Sequence, residues 1–163
     1  MTSVRDIIVI AIVLFAVGIS ITFAVVIGHR VNANLLTIPA MNNSAEAVSV
    51  ITHADAAINM TDYIYLAFFL GFFIAIIIFG WLVGGIPILA PIYFFSVVLF
   101  TFVSIILQQV WGDIATHPEV IAGTINLPIT NFILTHLGLF MAVFGLIGIA
   151  VMFAKPTNSG GNY

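Results

Sequence analysis

The sequence contains no cysteine, which excludes disulfides, thiolate-bound metals and cysteine nucleophiles and leaves the redox compartment open. Charge is almost as scarce. Three Lys and Arg and six Asp and Glu stand among 163 residues, 6% of the chain where an ordinary domain carries about 25%. So few cations exclude the electrostatic footprint of a nucleic-acid partner. Turn chemistry is missing where length demands it: from Tyr63 to Trp111 the chain runs 49 residues without a charge, and only Gly84-Gly85-Ile86-Pro87 has turn residues. No acid or base sits at the centre of an apolar run, which argues against proton-coupled transport, voltage sensing and pumping. It argues equally against a polar pore through one bundle.

What remains is apolar. Hydrophobic residues make up 63% of the chain, against about 45–50% in soluble domains. A domain this small is largely surface and cannot hide that much, so lipid must cover the rest. A bilayer core takes roughly 20 helical residues, and the 49-residue stretch as one helix would be about 73 Å long. It must turn back. The expected fold class is an all-α integral membrane protein with four transmembrane helices and a short amphipathic helix in the first long loop. One membrane domain covers 1–163, with spans at about 7–28, 63–84, 86–109 and 132–154, loops at 30–62 and 112–130, and a flexible polar tail at 156–163. The first apolar run exceeds the roughly 7–15 residues of a signal peptide, so it is read as a retained helix.

Local signals place the ends. Ser3 and Asp6 have capping-box spacing, Thr61 or Asp62 can cap the second span, and Thr130 or Asn131 the fourth. Pro87 and Pro91 suit the start of the third, and Lys155-Pro156 stops the fourth. Four spans put both termini on one side. Arg5 and Lys155 against Arg30 make that the cytoplasmic (or interior) side by the positive-inside rule. Tyr63, Tyr65, Trp81, Tyr93 and Trp111 near span ends read as an aromatic belt, and the fifteen Phe residues as lipid-facing bulk.

In the first loop, Asn43 and Glu46 have cap spacing, and Val48, Ile51, Ala54 and Ile58 recur at helical intervals. This predicts an amphipathic helix over 44–60, lying on the membrane surface or against partner loops. It has no Lys or Arg, so anionic lipid heads are not its target. His53-x-Asp55 points in two directions on a helix and reads as a solvated face.

One cluster has the composition of a metal site. Asp113 and His117 are four apart, Glu119 is close, and His136 lies in the fourth span; such a set suits zinc, copper or iron. Asp113-x-x-x-His117 with a later His resembles the ligand pattern in one membrane subunit of the copper-dependent methane and ammonia monooxygenases. The 19 residues from His117 to His136 exceed that family's spacing, and its tryptophan- and acid-rich surroundings are missing, so the family is not assigned. The preferred reading is structural, with no metal and no cofactor. Asp113 and His117 then cap helices at the interface, and His136 hydrogen-bonds within the bundle. Ser20, Thr22, Ser96, Thr101, Ser104 and Thr135 are expected to bond back to their own helices.

Small residues carry more weight. Gly138, Ala142, Gly145 and Gly148 line one side of the fourth span, and Gly71 with Ala75 and Gly80 with Gly84 repeat the spacing on the second. Such faces let membrane helices approach closely, either within the monomer or between copies; the face of the fourth span is expected to carry assembly with copies or other subunits. The expected function is a non-enzymatic structural or assembly subunit in the membrane of a larger complex, of the kind found in lipid-containing virus particles or membrane supercomplexes. Its partners are the lipid bilayer and other membrane subunits or copies of itself. The alternatives are a self-assembling channel or holin-like pore former and a metal-binding subunit of a membrane enzyme.

Overall fold

In the computed structural model, residues 4–83 and 90–154 are described, and they form eight helices and no strand: α1 (Val4–Thr37), α2 (Pro39–Asn42), α3 (Ala45–Asn59), α4 (Thr61–Val83), α5 (Ala90–Ala115), α6 (Pro118–Asn126), α7 (Pro128–Thr135) and α8 (Leu137–Ala154). The Ser3 cap, the Gly84–Pro87 turn, Lys155 and the tail 156–163 lie outside the described residues. Four stretches are long and apolar enough to cross a membrane: Ile12–Thr37, Ala45–Leu82, Ala90–Ala115 and Leu137–Ala154. The chain thus fits an all-α multi-pass membrane protein.

Several boundaries differ from expectation, each for a local reason. The first helix does not end near Gly28. It continues through 34 residues, about 51 Å, because nothing from His29 to Thr37 breaks a helix. Pro39 ends it, pushing Ile38 into extended backbone (φ −78°, ψ 117°). The cap of α3 is Ser44 and not Asn43: its hydroxyl accepts from the backbone N–H of Ala47 at 3.3 Å. α3 then runs almost into α4, since the N–H of Met60 donates to Ala56 and that of Ile64 to Met60.

The third helix passes 109 to reach Ala115, and the connection beyond it is itself helical. His117 precedes Pro118 and is extended, which starts α6; Leu127 precedes Pro128 and starts α7. The fourth span is not one helix. It breaks at His136 (φ −116°, ψ 19°), where the N–H of Gly138 donates to Gln108 Oε1 at 3.0 Å rather than to its own helix. A side chain entering the backbone ladder is an ordinary cause of such a kink.

Contacts set the register along the bundle. Gly18 of α1 faces Tyr65 of α4 and Leu134 of α7, while Gly28 faces Ile58 of α3. α1 is therefore antiparallel to α3 and α4. Gly80 of α4 faces Gly148 of α8, so the start of α1 and the end of α8 lie at the same end. At the other end, the last turns of α1 and the whole of α3 project past the level of Asp62, Trp111 and Thr130. The apolar stripe predicted for α3 does face inward, with Ile51 buried. It meets the protein's own α1 rather than a membrane surface.

The core contradicts the aromatic expectation. Tyr65, Tyr93 and Trp111 are buried, leaving only Tyr63 and Trp81 of that belt exposed. Phe69 meets Phe140 and Phe144 at ring distances of 5.3 Å, and Phe73 meets Phe144 at 4.1 Å. These rings fill the space between α4 and α8, while Phe23, Phe68, Phe94, Phe95, Phe102, Phe132 and Phe153 are exposed, as outer bulk should be. The predicted back-bonding holds for Thr22, Ser96, Thr101 and Ser104, each donating to the carbonyl four residues earlier.

Glycine makes the closest approach at α8. A methyl group at Gly145 would strike Val97 of α5, and one at Gly148 would strike the Tyr93 hydroxyl. Gly145→Leu is expected to lower monomer stability by about 1–3 kcal/mol through overpacking, read as an earlier denaturation midpoint in detergent. The Tyr65 hydroxyl is buried with no partner. Tyr65→Phe removes that unpaired group and is expected to leave stability unchanged or raise it by about 1 kcal/mol; a clear loss would show that the hydroxyl is used.

Candidate functional site

Among the buried polar side chains, Ser96 and Ser104 lie along α5, while Thr22, Asn32, Asp62 and Thr130 lie toward the end from which α1 and α3 project. Asp62 is the centre of this layer. It lies in the first turn of α4 and is only 3% exposed. It was expected to cap its own helix. Instead its carboxylate accepts from the N–H of Ile129 at 2.9 Å and from the N–H and hydroxyl of Thr130, both at 2.7 Å. It thereby caps α7, across 68 positions of sequence, in place of Thr130 or Asn131. The negative charge sits at the positive end of that helix, where the unpaired N–H groups need an acceptor.

Next to it, Trp111 Nε1 donates to Asn131 Oδ1 at 3.0 Å, tying α5 to α7. Gln108 holds the start of α8 through Gly138. Both halves of the broken fourth span therefore have their first N–H groups satisfied by another helix.

A second polar set joins α1 to α3. His29 Nδ1 donates to Asp55 Oδ1 at 3.1 Å, and Asn32 Nδ2 donates to the same oxygen at 2.6 Å. His29 Nε2 lies 3.2 Å from Asn59 Oδ1. Asp55 is thus part of an interface and not of a solvated face. His53 is exposed and turns back to the Ser49 carbonyl, so His53 and Asp55 do part company. Sequence reasoning missed the pairing with α1, although His29 with Asn32 and Asp55 with Asn59 each have the spacing of one helix face.

The residues with metal-site composition are not brought together. Asp113 is exposed in the last turn of α5, and its backbone carbonyl accepts from Thr116. His117 is exposed at the start of α6 and makes no side-chain cap bond. His136 is half-buried at the α7–α8 break, with Nδ1 donating to the Phe132 carbonyl at 2.9 Å. Among the described residues no three His, Asp or Glu side chains form a group that could hold a metal ion.

The small residues divide into two classes. Gly138 and Gly145 face α5, Gly148 faces α5 and α4, and Gly80 meets Gly148. Ala142 lies half-buried on the same helix. The α8 face is therefore filled by the protein's own helices. Gly71 and Ala75 are exposed on the outer side of α4, and nothing lies within 4 Å of where a Gly71 methyl would be. Gly84 lies outside the described residues.

Removing the Asp62 carboxylate strands two backbone N–H groups, and each unsatisfied buried group costs about 1–3 kcal/mol. Asp62→Ala is expected to destabilise the fold by about 3 kcal/mol and Asp62→Asn, which keeps one acceptor, by less. Denaturation of the purified variants checks the order; equal, negligible effects would remove Asp62 from this role. Set against protein-family models, curated proteins and solved structures, the chain matches none.

Proposed function

We propose that the protein is a non-enzymatic assembly subunit embedded in a membrane, meeting its neighbours through the outer face of α4. The observation that carries this reading is the contrast between its two small-residue faces. On α8 the glycines are used up by internal packing. On α4, Ala67, Gly71 and Ala75 recur every four residues on an exposed side. Beside them Ile64, Phe68 and Phe72 frame a shallow groove of about 470 Å3.

In lipid, hydrophobicity gives helices little reason to associate; backbone approach across small residues does. A glycine in a helix interior costs about 1 kcal/mol relative to alanine, and at Gly71 no internal neighbour uses the space it leaves. A neighbouring transmembrane helix would use it. The ring-filled interior between α4 and α8 supports a subunit over a single-chain pore. The polar tie between α1 and α3 supports a rigid projection beyond the bundle, with Val50 on it 69% exposed.

Gly71→Leu separates assembly from folding. The variant is expected to keep or raise the wild-type denaturation midpoint, because the added side chain meets open space and leucine is the better helix former. In mild detergent it is expected to run as a smaller species than wild type in light scattering. A wild-type protein that is already a lone monomer in mild detergent and in native membranes would sink the reading.

A further inference from the structure

The elbow between α6 and α7 leaves an open groove of about 410 Å3 with both polar and apolar walls, among them Thr124, Asn131, Thr135, His136, Ile125 and Phe132. Its hydrogen-bonding pattern follows from which groups can only donate and which can only accept. Trp111 Nε1 can only donate, so the oxygen of Asn131 faces Trp111 and its NH2 group is left for the groove. The Phe132 carbonyl can only accept, so His136 Nδ1 carries the hydrogen. In the neutral ring Nε2 then offers a lone pair. Thr124 donates to the Ile121 carbonyl and Thr135 to Asn131 Oδ1, which leaves their oxygens as acceptors.

The groove therefore offers one donor beside several acceptors, the complement of an O–H group, which both gives and takes a hydrogen bond. No Lys or Arg lines it, which argues against a phosphate head, and no carboxylate lines it, which argues against an amine. Its apolar side continues outward. Ile125 is 72% exposed, Phe132 56% and Leu139 62%, and Val143 and Leu146 extend the strip along α8. We infer that this groove binds a neutral membrane lipid with a free hydroxyl head, its chain lying along α8. The inference rests on the membrane reading above: the groove stands at the start of the apolar stretch Leu137–Ala154, where a polar lipid head meets the first part of its chain.

The test uses the full chain reconstituted in phosphatidylcholine vesicles. The probe is a diacylglycerol carrying a diazirine on its acyl chain; the control is the same probe with its hydroxyl methylated. Alkaline extraction first reads membrane residence, and protein released into the supernatant overturns both the membrane reading and this one. With the protein retained, photolabelling is expected on the α7–α8 strip, competed by unlabelled dioleoylglycerol and weak for the methyl ether. His136→Phe is expected to reduce labelling about fivefold, equivalent to about 1 kcal/mol and the size of one hydrogen bond in a membrane. Should that variant not fold, Thr135→Val, at an exposed position, reads the same loss in smaller measure. Equal labelling by both probes, or labelling untouched in the variants, overturns the lipid site alone. A crosslink joining two copies through the groove assigns it to a second chain and overturns it as well.

Discussion

A single carboxylate organises the end of this bundle where most of its polar chemistry lies. Asp62 is buried at the start of α4 and accepts three hydrogen bonds from the first turn of α7. A charge in that position is tolerable only because a helix terminus supplies both donors and a favourable dipole. The same contact fixes where α7 begins. With Pro128 preventing α6 from continuing, it sets the elbow that holds Leu127 fully buried. The groove of the elbow, the Trp111–Asn131 bond and the height of the His136 break all follow from that anchor.

From that layer the molecule extends in two chemically different directions. Toward the α8 end, cohesion comes from ring packing and from glycines that let α4, α5 and α8 approach one another. That is the packing expected where no hydrophobic drive pulls helices together. Toward the other end, α1 and α3 leave the bundle as a pair and replace that packing with Asp55, His29 and Asn32. Polar pairing of this kind suits a segment that stands at or beyond a membrane boundary. Under the proposed assembly role, one part would sit among apolar neighbours and the other would project from them.

Glycine shows how one residue type serves opposite ends. Gly80 and Gly148 face each other across two helices with no room for a methyl group. Gly71, on the same helix as Gly80, has nothing before it. Spacing alone treats the two alike, because a helix presents small residues every fourth position whichever way that face is turned. Only the position of the next helix decides whether a small-residue face is already occupied.

The sequence alone determined the class of fold and the number of long apolar stretches. Those follow from hydropathy, helix rise and the scarcity of charge, which act locally and sum along the chain. It also determined the amphipathic stripe of α3, since Ile51 and its neighbours repeat with the helical period. What it could not determine was partnership. Asp62 reads as the cap of its own helix because capping is usually local, yet its acceptors serve donors 67 and 68 residues away. Asp113, His117 and His136 read as a possible ligand set because spacing is visible and the break at Ala115 is not. The fourth span reads as continuous because the side chain that interrupts it, Gln108, comes from another helix. Each of these was decided by tertiary structure, for one physical reason: a buried polar group takes whichever partner the fold brings within hydrogen-bond distance, and that distance is not written in local sequence.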